Sequence, residues 1–310
     1  IYIEILENKK EKKMKSVVSY PDRGSYGNNK YRGNCSGRLI ADLIDQYKLH
    51  SLSDYMVGGG TTEDVCKVKN IPGTFLDLNR GFDMMTMDIP ERPENIFWHP
   101  PYGGMIIYSD KMYKAQDIIN RYGFDPRVND LSRAKDWNDF VRKMNYCMLK
   151  QFSSLEKGGR MFVLMGDWKQ KGKLYSMLCD IAKPGTLEQI IIKMEHNCVS
   201  DSKQYSNLNF VPICHEYVMV VRKDAAMIIP VSMAKKMSMD MRDTKSATWR
   251  DVVAAILEDA GRPMTLEEIY KAVEGHKRCE ANPNFWKDKI RQTLREYPFK
   301  HVARGVYAAA

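Results

Sequence analysis

The tetrapeptide His99-Pro100-Pro101-Tyr102 is the segment best suited to chemistry, and it follows the apolar segment Asn95–Trp98. Two consecutive prolines stiffen the backbone and remove two N–H donors, so the loop presents carbonyl oxygens beside an imidazole and an aromatic ring. An amino group conjugated to a ring is a poor nucleophile until two acceptors hold its N–H bonds and localise its lone pair. The tetrapeptide predicts this chemistry, with His99 and the Pro100 carbonyl as acceptors and Tyr102 stacked on the ring; a rigid turn is the alternative.

A glycine turn lies earlier in the chain, between Asp54 and Thr61, with Gly58 and Gly60 inside it. Glycine permits sharp turns and lets a ligand approach the backbone closely. Glycine runs are equally typical of hairpins and linkers. The polar segment Asn34-Cys35-Ser36 precedes a predicted helix, whose first N–H groups suit a carboxylate; capping by Ser36 explains it as well.

Strand-like and helix-like segments alternate in the part of the chain that carries these motifs. This alternation predicts an α/β fold with a Rossmann-like, mostly parallel sheet covered by helices. In such sheets ligands bind at the carboxyl ends of the strands. The glycine- and asparagine-rich residues 17–37 predict a loop. Predicted strands are residues 51–57, 71–78, 95–98, 160–165, 189–193 and 216–222, and predicted helices are residues 38–48, 63–69 and 137–155.

Residues 248–310 are predicted to form a separate small domain. Helical segments at 249–257 and 285–297 flank a third helix that Thr265 and Glu268 begin as a capping box. A short hairpin follows at 299–307, and three helices with a hairpin describe a winged helix, which reads double-stranded DNA or, as the alternative, binds proteins. The other predicted boundaries are an extension at 1–16, with Met14 as a natural start, a catalytic domain at 17–235 and a linker at 236–247.

His99-Pro100-Pro101-Tyr102 resembles the [Asp/Asn/Ser]-Pro-Pro-[Tyr/Phe/Trp] motif of S-adenosylmethionine-dependent amino methyltransferases of DNA. The segment from Asp54 to Thr62 is similar to the cofactor loop of that family, with Tyr55 and Met56 in place of its usual Pro and Phe. The order of the motifs matches a known permutation of the family, and the resemblance covers roughly residues 20–223.

The resemblance implies a flipped base as substrate, S-adenosylmethionine as cofactor, and neither a metal nor a covalent intermediate. Asp77, at the end of the second predicted strand, is expected to bind ribose hydroxyls, and Asp88 to face the adenine of the cofactor; a solvated turn residue is the alternative for each. Asp167 is implied to line the pocket of the target base. The cofactor residues implied in all are Asn34, Cys35, Ser36, Asp54, Met56, Gly58, Gly60, Thr61, Asp77, Asp88 and His99.

The first residue of the catalytic motif leaves the target base open. Adenine enzymes of the family usually carry Asp or Asn there and cytosine enzymes Ser, whereas this chain has His99. A neutral imidazole can still accept a hydrogen bond through its free ring nitrogen. We favour N6 of adenine, with N4 of cytosine as the alternative.

Residues 108–137 and 195–210 are predicted to lie on the substrate side of the cleft, with Tyr108 contacting the displaced strand. In the last predicted helix, Lys287, Arg291 and Arg295 recur every four residues on one face, where they could contact phosphates or guanine edges. A solvated face is the alternative. Double-stranded DNA is therefore the expected partner, while a cognate restriction enzyme and the oligomeric state stay open.

Composition supports this interpretation weakly. The formal net charge of +9 favours an anionic partner. The seven cysteines form no Cys-x-x-Cys pair, so we expect no zinc site and no disulfide framework. No apolar run is long enough to span a bilayer, and no signal peptide is visible; a cytoplasmic protein is expected.

Two other interpretations stay open. A DNA-binding regulator that keeps a degenerate cofactor fold would bind DNA without methyl transfer. The same chemistry could instead act on RNA or on a protein glutamine, which the predicted winged helix makes less favoured.

Overall fold

The computed structural model describes residues 13–196, 211–235, 247–275 and 277–309. The chain divides into two compact units, Ile1–Ala234 and Lys235–Ala310. Most of the predicted extension, the predicted linker and the predicted substrate-side segment at 195–210 lie outside the described residues.

The first unit alternates helices and strands. Its helices are α1 (Gly37–Tyr47), α2 (Thr61–Lys69), α3 (Ala115–Tyr122), α4 (Trp137–Ser154) and α5 (Met177–Asp180). Its strands are β1 (Val17–Ser19), β2 (Asn95–Trp98), β3 (Arg160–Met165), β4 (Asp167–Gln170), β5 (Lys173–Ser176), β6 (Lys183–Pro184), β7 (Thr186–Met194), β8 (His215–Arg222) and β9 (Val231–Ser232).

The central sheet has the order β1-β7-β8-β3-β2. Pairs β1–β7 and β2–β3 are parallel, whereas β8 is antiparallel to both of its neighbours. Parallel bridges Ser53–Ile96 and Asp54–Phe75 continue the sheet beyond β2. All these segments except β8 therefore run in one direction, and the predicted Rossmann-like α/β fold with a mostly parallel sheet is confirmed.

Helices cover the two faces of the sheet. Alternate side chains of β3 point to opposite faces, so that Phe162 packs with α1, and Met161 and Val163 pack with α4. Because both faces are buried, β3 reads as an unbroken apolar run rather than as an alternating one. The sheet is thereby fixed, and with it the place where the loop after β2 begins.

Three predicted segments were wrong in detail. Residues 17–37 were predicted as loop, but Val17–Ser19 forms β1, held by parallel pairing to β7. A three-residue edge strand is too short for a periodic signal, and its pairing depends on a strand far away in sequence. The predicted strands at 51–57 and 71–78 reach the sheet only through the two single bridges, since each turns toward the cavity described below.

The two bridged segments approach each other closely at Gly73. Leu52 donates to the carbonyl of Pro72 at 3.0 Å, and a Cβ at Gly73 would lie 1.9 Å from the carbonyl oxygen of Leu52. This contact helps to hold Asp54 and Asp77, because the segments that carry them are joined by Asp54 N–H donating to Thr74 at 2.9 Å.

We expect Gly73→Ala to lower the free energy of unfolding by about 1–3 kcal/mol, since backbone must move to admit the methyl group. Gly104→Ala is the matched control, because its Cβ would meet only the Ser132 carbonyl at 3.6 Å. Chemical denaturation of the full chain measures both. Equal stability of the two variants would contradict the close approach of Gly73 to the Leu52 carbonyl.

The second unit has its own core. Its elements are α6 (Trp249–Ala260), β10 (Met264–Thr265), α7 (Leu266–Val273), α8 (Lys277–Ala281), α9 (Trp286–Glu296), β11 (Lys300–Ala303) and β12 (Val306–Ala308). The predicted capping box of Thr265 and Glu268 is confirmed, and β10 adds a third strand to the predicted hairpin, in the order β10-β12-β11. Val253, Ile269 and Ile290 from the three longer helices pack together. The winged-helix assignment stays a prediction.

Candidate functional site

The loop His99–Tyr102 begins where β2 ends. β2 is fully buried, and it is paired in parallel with β3, so its carboxyl end is fixed within the sheet. The indole Nε1 of Trp98 lies 3.0 Å from the Met56 sulfur, which links the end of β2 to the glycine turn. The diproline loop and the glycine turn are thus neighbours in space.

A cavity that opens to solvent, here called the acidic cavity, lies between this loop, the glycine turn and residues 129–131, and its empty space, open mouth included, is about 840 Å³. Four carboxylates line it, and no lysine or arginine of the described residues does. Apolar side chains, among them Phe82, Met84 and Leu131, form another part of its wall. A ligand that carries positive charge and an apolar ring would fit this lining. The four carboxylates are those of Asp54, Asp77, Asp83 and Asp130.

Asp77 joins the glycine turn to the end of the neighbouring segment. Its Oδ2 accepts from Gly58 N–H at 2.8 Å and its Oδ1 from Asn79 N–H at 2.9 Å. Each carboxylate oxygen keeps a further lone pair, so Asp77 can still accept hydroxyl groups of a ligand. Burial raises the pKa of Asp77 against the lowering effect of these two N–H groups.

Asp54 is buried beneath the same turn. It accepts from the Thr62 hydroxyl at 2.6 Å and from Met56 N–H at 3.0 Å. Desolvation raises its pKa to about 7, in spite of these hydrogen bonds. A cationic ligand in the acidic cavity would therefore stabilise the charged form of Asp54.

Most of the cofactor residues predicted from sequence line the acidic cavity. Three of the predicted residues do not. Ser36 is buried, and its hydroxyl donates to the Arg23 carbonyl. Gly60 is the N-cap of α2, and Asp88 is exposed. Those that do are Asn34, Cys35, Asp54, Met56, Gly58, Thr61, Asp77 and His99.

Asp83 takes the place in the cavity wall that the sequence had suggested for Asp88. Its carboxylate accepts from Met85 N–H, from the Thr86 hydroxyl and from the Asn129 amide, at 2.9, 2.8 and 2.6 Å. These contacts turn Asp83 inward and leave Asp88 in solvent. The short spacing Asp83-x-x-Thr86 is a turn signal that could have indicated this.

A second cavity that opens to solvent, here called the loop cavity, borders the same diproline loop, and its empty space, open mouth included, is about 730 Å³. Pro100, Tyr102, Met105 and Ile106 line it together with three charged residues that lie in or directly after strands of the sheet. It shares Gly33, Asn34, Cys35, His99 and Tyr108 with the acidic cavity. His99 therefore lies where the two cavities meet. The charged residues are Lys193, Glu195 and Glu216.

His99 and Tyr102 are hydrogen-bonded to each other. His99 Nε2 lies 2.9 Å from the Tyr102 hydroxyl, which donates to Glu216 Oε1 at 2.7 Å. Desolvation lowers the pKa of His99 to about 4, so the imidazole is neutral at neutral pH. Burial and Glu216 raise the pKa of Tyr102 well above its usual value, so the phenol keeps its proton.

The sequence did not indicate Lys193 and Glu216 as site residues. Lys193 lies near the end of β7 and Glu216 near the start of β8, where a charged residue beside an apolar run indicates only the end of a strand. They face each other across β7 and β8, and Lys193 Nζ contacts Glu216 Oε2 at 2.8 Å. Only the pairing of strands distant in sequence brings them beside Tyr102. Asp167, which had been expected at the target pocket, lines neither cavity and accepts from Tyr217 at 3.3 Å.

The residues predicted to contact DNA lie in both units. Tyr108 lines both cavities of the first unit and stacks on Tyr31, with ring centroids 5.7 Å apart. Lys287, Arg291 and Arg295 are exposed on α9, where Arg291 pairs with Asp288. Their contact with DNA stays a prediction.

Among the described residues no cluster of three or more His, Cys, Asp or Glu could hold a metal ion. Six of the seven cysteines lie in that part of the chain, and no disulfide joins any two of them. No described helix is long and apolar enough to cross a membrane.

No protein-family model and no curated protein sequence matches the chain. Among solved structures, a candidate DNA modification methylase from Thermus thermophilus is similar, with 13% identity over 61% of this chain and 56% of that chain, and a TM-score of 0.29. The same protein complexed with S-adenosyl-L-methionine gives a TM-score of 0.26 at 13% identity, covering 61% of this chain and 57% of that one. The glycopeptide N-methyltransferase MtfA, complexed with S-adenosylhomocysteine, gives 0.25 at 8% identity, covering 67% and 78%. Similarity this low carries no argument about ligands, and the strand order of this chain itself defines its fold.

Proposed function

We propose that this chain is an S-adenosylmethionine-dependent DNA methyltransferase that methylates the exocyclic amino group of a flipped base, with N6 of adenine favoured over N4 of cytosine. The observation that carries the proposal is the place of His99 in the walls of both cavities. A cationic ligand in the acidic cavity and a base in the loop cavity would meet at this side chain.

The lining of the acidic cavity supports S-adenosylmethionine over the phosphate-bearing cofactors that bind similar folds. Four carboxylates without a lysine or arginine would repel a pyrophosphate, whereas they attract a sulfonium and an ammonium group. Asp77 would hold the ribose hydroxyls, and the apolar wall with Met84 and Leu131 would hold the adenine. When bound, S-adenosylmethionine supplies a methyl group activated by its positive sulfur.

The diproline loop would make the amino nitrogen nucleophilic. A neutral His99 accepts a hydrogen bond from one N–H of the amino group, and the Pro100 carbonyl accepts one from the other. The lone pair of the amino nitrogen is then no longer shared with the ring. Tyr102 stacks on the base. Catalysis then rests on positioning and on acceptors prepared for the transition state, and solvent takes the proton.

A base in a duplex cannot reach this loop, so it must leave the stack. The loop cavity, lined by Tyr102 and three charged side chains, offers both a ring face and hydrogen-bonding groups to an extruded base. Tyr108 at the rim would contact the displaced strand. The second unit, as a winged helix, would bind the duplex through α9.

The test is to express the full chain in a host that lacks DNA methylation and to analyse its DNA. Mass spectrometry of nucleosides identifies the modified base, and methylation-sensitive sequencing identifies the recognition site. We expect N6-methyladenine in one sequence context and none with Tyr102→Ala. DNA binding without any methylation would contradict the proposal and favour the non-catalytic regulator; methylation confined to RNA or protein would move the chemistry to another substrate.

The raised pKa of Asp54 predicts how the affinity for S-adenosylmethionine changes with pH. Below about pH 7 this carboxyl is protonated and neutral; a cationic ligand favours the carboxylate and lowers its pKa on binding. Affinity should therefore rise by about eightfold between roughly pH 6 and 7.5, with release of a proton.

Calorimetry in buffers of different ionisation enthalpy counts that proton. Asp54→Asn should bind more weakly and lose the pH dependence between these values. If the affinity of Asp54→Asn for S-adenosylmethionine changed with pH as steeply as that of the wild type, another group would be the one that titrates.

The basic row of α9 predicts a salt-dependent contribution to DNA binding. Replacing Lys287, Arg291 and Arg295 together by alanine should weaken DNA affinity and reduce the slope of log Kd against log salt by up to about three, if each contacts one phosphate. Fluorescence anisotropy of a duplex measures both. Lys271→Ala, an exposed lysine on α7, is the control. An unchanged slope in the triple variant would assign the row to a solvated face.

A further inference from the structure

A continuous chain of hydrogen bonds runs from the diproline loop into the sheet. His99 Nε2 lies 2.9 Å from the Tyr102 hydroxyl, this hydroxyl lies 2.7 Å from Glu216 Oε1, and Lys193 Nζ lies 2.8 Å from Glu216 Oε2. Lys193 is buried with 7% of its surface exposed, and it also pairs with Glu195. A buried ion pair of this kind is costly to desolvate, so its presence beside the site calls for a role.

The direction of the chain follows from the charge at its far end. The contact with Lys193 holds Glu216 ionised, and an ionised carboxylate only accepts hydrogen bonds. The Tyr102 hydroxyl must then donate its single proton to Glu216. Toward His99 it offers only a lone pair, so His99 Nε2 must carry the N–H.

A neutral imidazole carries one N–H. With that proton on Nε2, the lone pair of Nδ1 is the acceptor left on the ring. Desolvation lowers the pKa of His99 to about 4, which keeps the ring in this neutral form at neutral pH. Burial alone would raise the pKa of Glu216, but Lys193 and the hydrogen bonds outweigh burial and lower it.

We propose that Lys193 and Glu216 are positioning residues that act through Tyr102 to hold His99 in the Nε2–H tautomer. In that tautomer Nδ1 accepts a hydrogen bond from the amino group of the target base. This inference rests on the proposed function for the identity of that amino group. The tautomer itself is a property of the protein alone and is measured without substrate.

The hydrogen-bonded chain from His99 through Tyr102 and Glu216 to Lys193, here called the relay, depends on the reversed direction of β8 in the central sheet. β8 is antiparallel to β3 and β7, so its first residues, rather than its last, lie at the edge where the parallel strands end. Glu216 is therefore at the height of the diproline loop, directly across from Lys193 on β7.

Gly166, after β3, makes room for the ring of Tyr102. A Cβ at Gly166 would lie 2.6 Å from that ring, so the missing side chain allows the phenol to reach Glu216. Ring and carboxylate are thus placed by the backbone of two adjacent strands.

The test is nitrogen NMR of the full chain labelled with ¹⁵N-histidine, in which ring shifts and couplings distinguish the two neutral tautomers. The six histidines are few enough to assign His99 from the spectrum of His99→Asn. We expect the Nε2–H tautomer in the wild type. Glu216→Gln can donate its amide to the Tyr102 oxygen, which frees the phenol to donate to Nε2, so we expect Nδ1–H to appear.

Tyr102→Phe keeps the ring and removes the hydroxyl, so it should yield a mixture of tautomers. It keeps the test valid if Glu216→Gln fails to fold. Tyr217→Phe is the matched control, because Tyr217 forms a separate chain between His215 at 2.7 Å and Asp167 at 3.3 Å. It should leave the His99 signals unchanged.

Kinetics give the second readout. Glu216→Gln should lower kcat by at least about tenfold, less than the roughly 100-fold that removal of a prepared hydrogen-bonding group costs, because the imidazole stays in place. The Kd of S-adenosylmethionine should stay within about twofold. Glu216→Asp should restore part of this loss, because it restores the carboxylate.

The two proposals fail in different ways. An Nδ1–H tautomer in the wild type, or a tautomer indifferent to Tyr102→Phe and Glu216→Gln, would overturn the relay even if the chain methylates DNA. The expected tautomers in a chain that methylates no DNA would uphold the relay and overturn the proposed function.

Discussion

Replacing His99 by alanine is expected to lower the single-turnover rate of methyl transfer by about 100-fold, the cost of removing one prepared acceptor from a transition state. The acceptor is lost where both cavities meet, whereas Asp54 and Asp77, which would hold the cofactor, stay in place. Rapid-quench measurement with saturating DNA and S-adenosylmethionine isolates the chemical step. Calorimetry should show an S-adenosylmethionine affinity within about fivefold of the wild type. This change is smaller than the loss of one hydrogen bond to a charged group would cause.

Two further variants make this result specific. His99→Asn keeps an acceptor oxygen near the position of the ring nitrogen, so it should recover at least about tenfold of the lost rate. His215→Ala is the control. His215 and its hydrogen-bonded partner Tyr217 both lie on β8, outside both cavities, so this variant should transfer methyl groups at the wild-type rate. A fully active His99→Ala would assign the acceptor role to another group.

Replacing Asp77 by alanine is expected to weaken the binding of S-adenosylmethionine by about 100-fold. The change removes the acceptor for the ribose hydroxyls, and two hydrogen bonds to a charged group are worth roughly 1.5 kcal/mol each. It also leaves Gly58 N–H and Asn79 N–H without their acceptor, so the glycine turn would loosen. Calorimetry or equilibrium dialysis measures the affinity.

Asp88→Ala is the matched control for this experiment. The sequence suggested both aspartates as cofactor ligands, but Asp77 lines the acidic cavity and Asp88 is exposed. Affinity in Asp88→Ala should therefore stay within about twofold, as is usual for an exposed side chain away from a site. Asp77→Asn keeps one acceptor oxygen and separates the loss of hydroxyl binding from loosening of the turn. An equal loss in Asp77→Ala and Asp88→Ala would contradict the position of the cofactor.

Local sequence patterns were sufficient to predict much of the secondary structure. β2, β3, β8 and the helices α1 and α4 lie where apolar runs and helical spacing predicted them, because buried strands and amphipathic helices have short periods. Capping residues fixed the start of α7 for the same reason. β1 escaped detection, and residues 51–57 and 71–78 were predicted as full strands although each reaches the sheet through a single bridge. The pairing of all three segments depends on partners far away in the chain.

Local sequence patterns were enough to identify the reactive tetrapeptide, the glycine turn and Asp77, because each follows an apolar segment whose end can be recognised locally. The charged side chains that lie beside them could be identified only from the folded chain. Lys193 and Glu216 reach Tyr102 only because β8 runs against its neighbours, and Asp83 rather than Asp88 faces the cavity because Asn129 binds it. Strand direction and contacts between distant segments leave no periodic trace in a sequence, and they place the groups that tune the site.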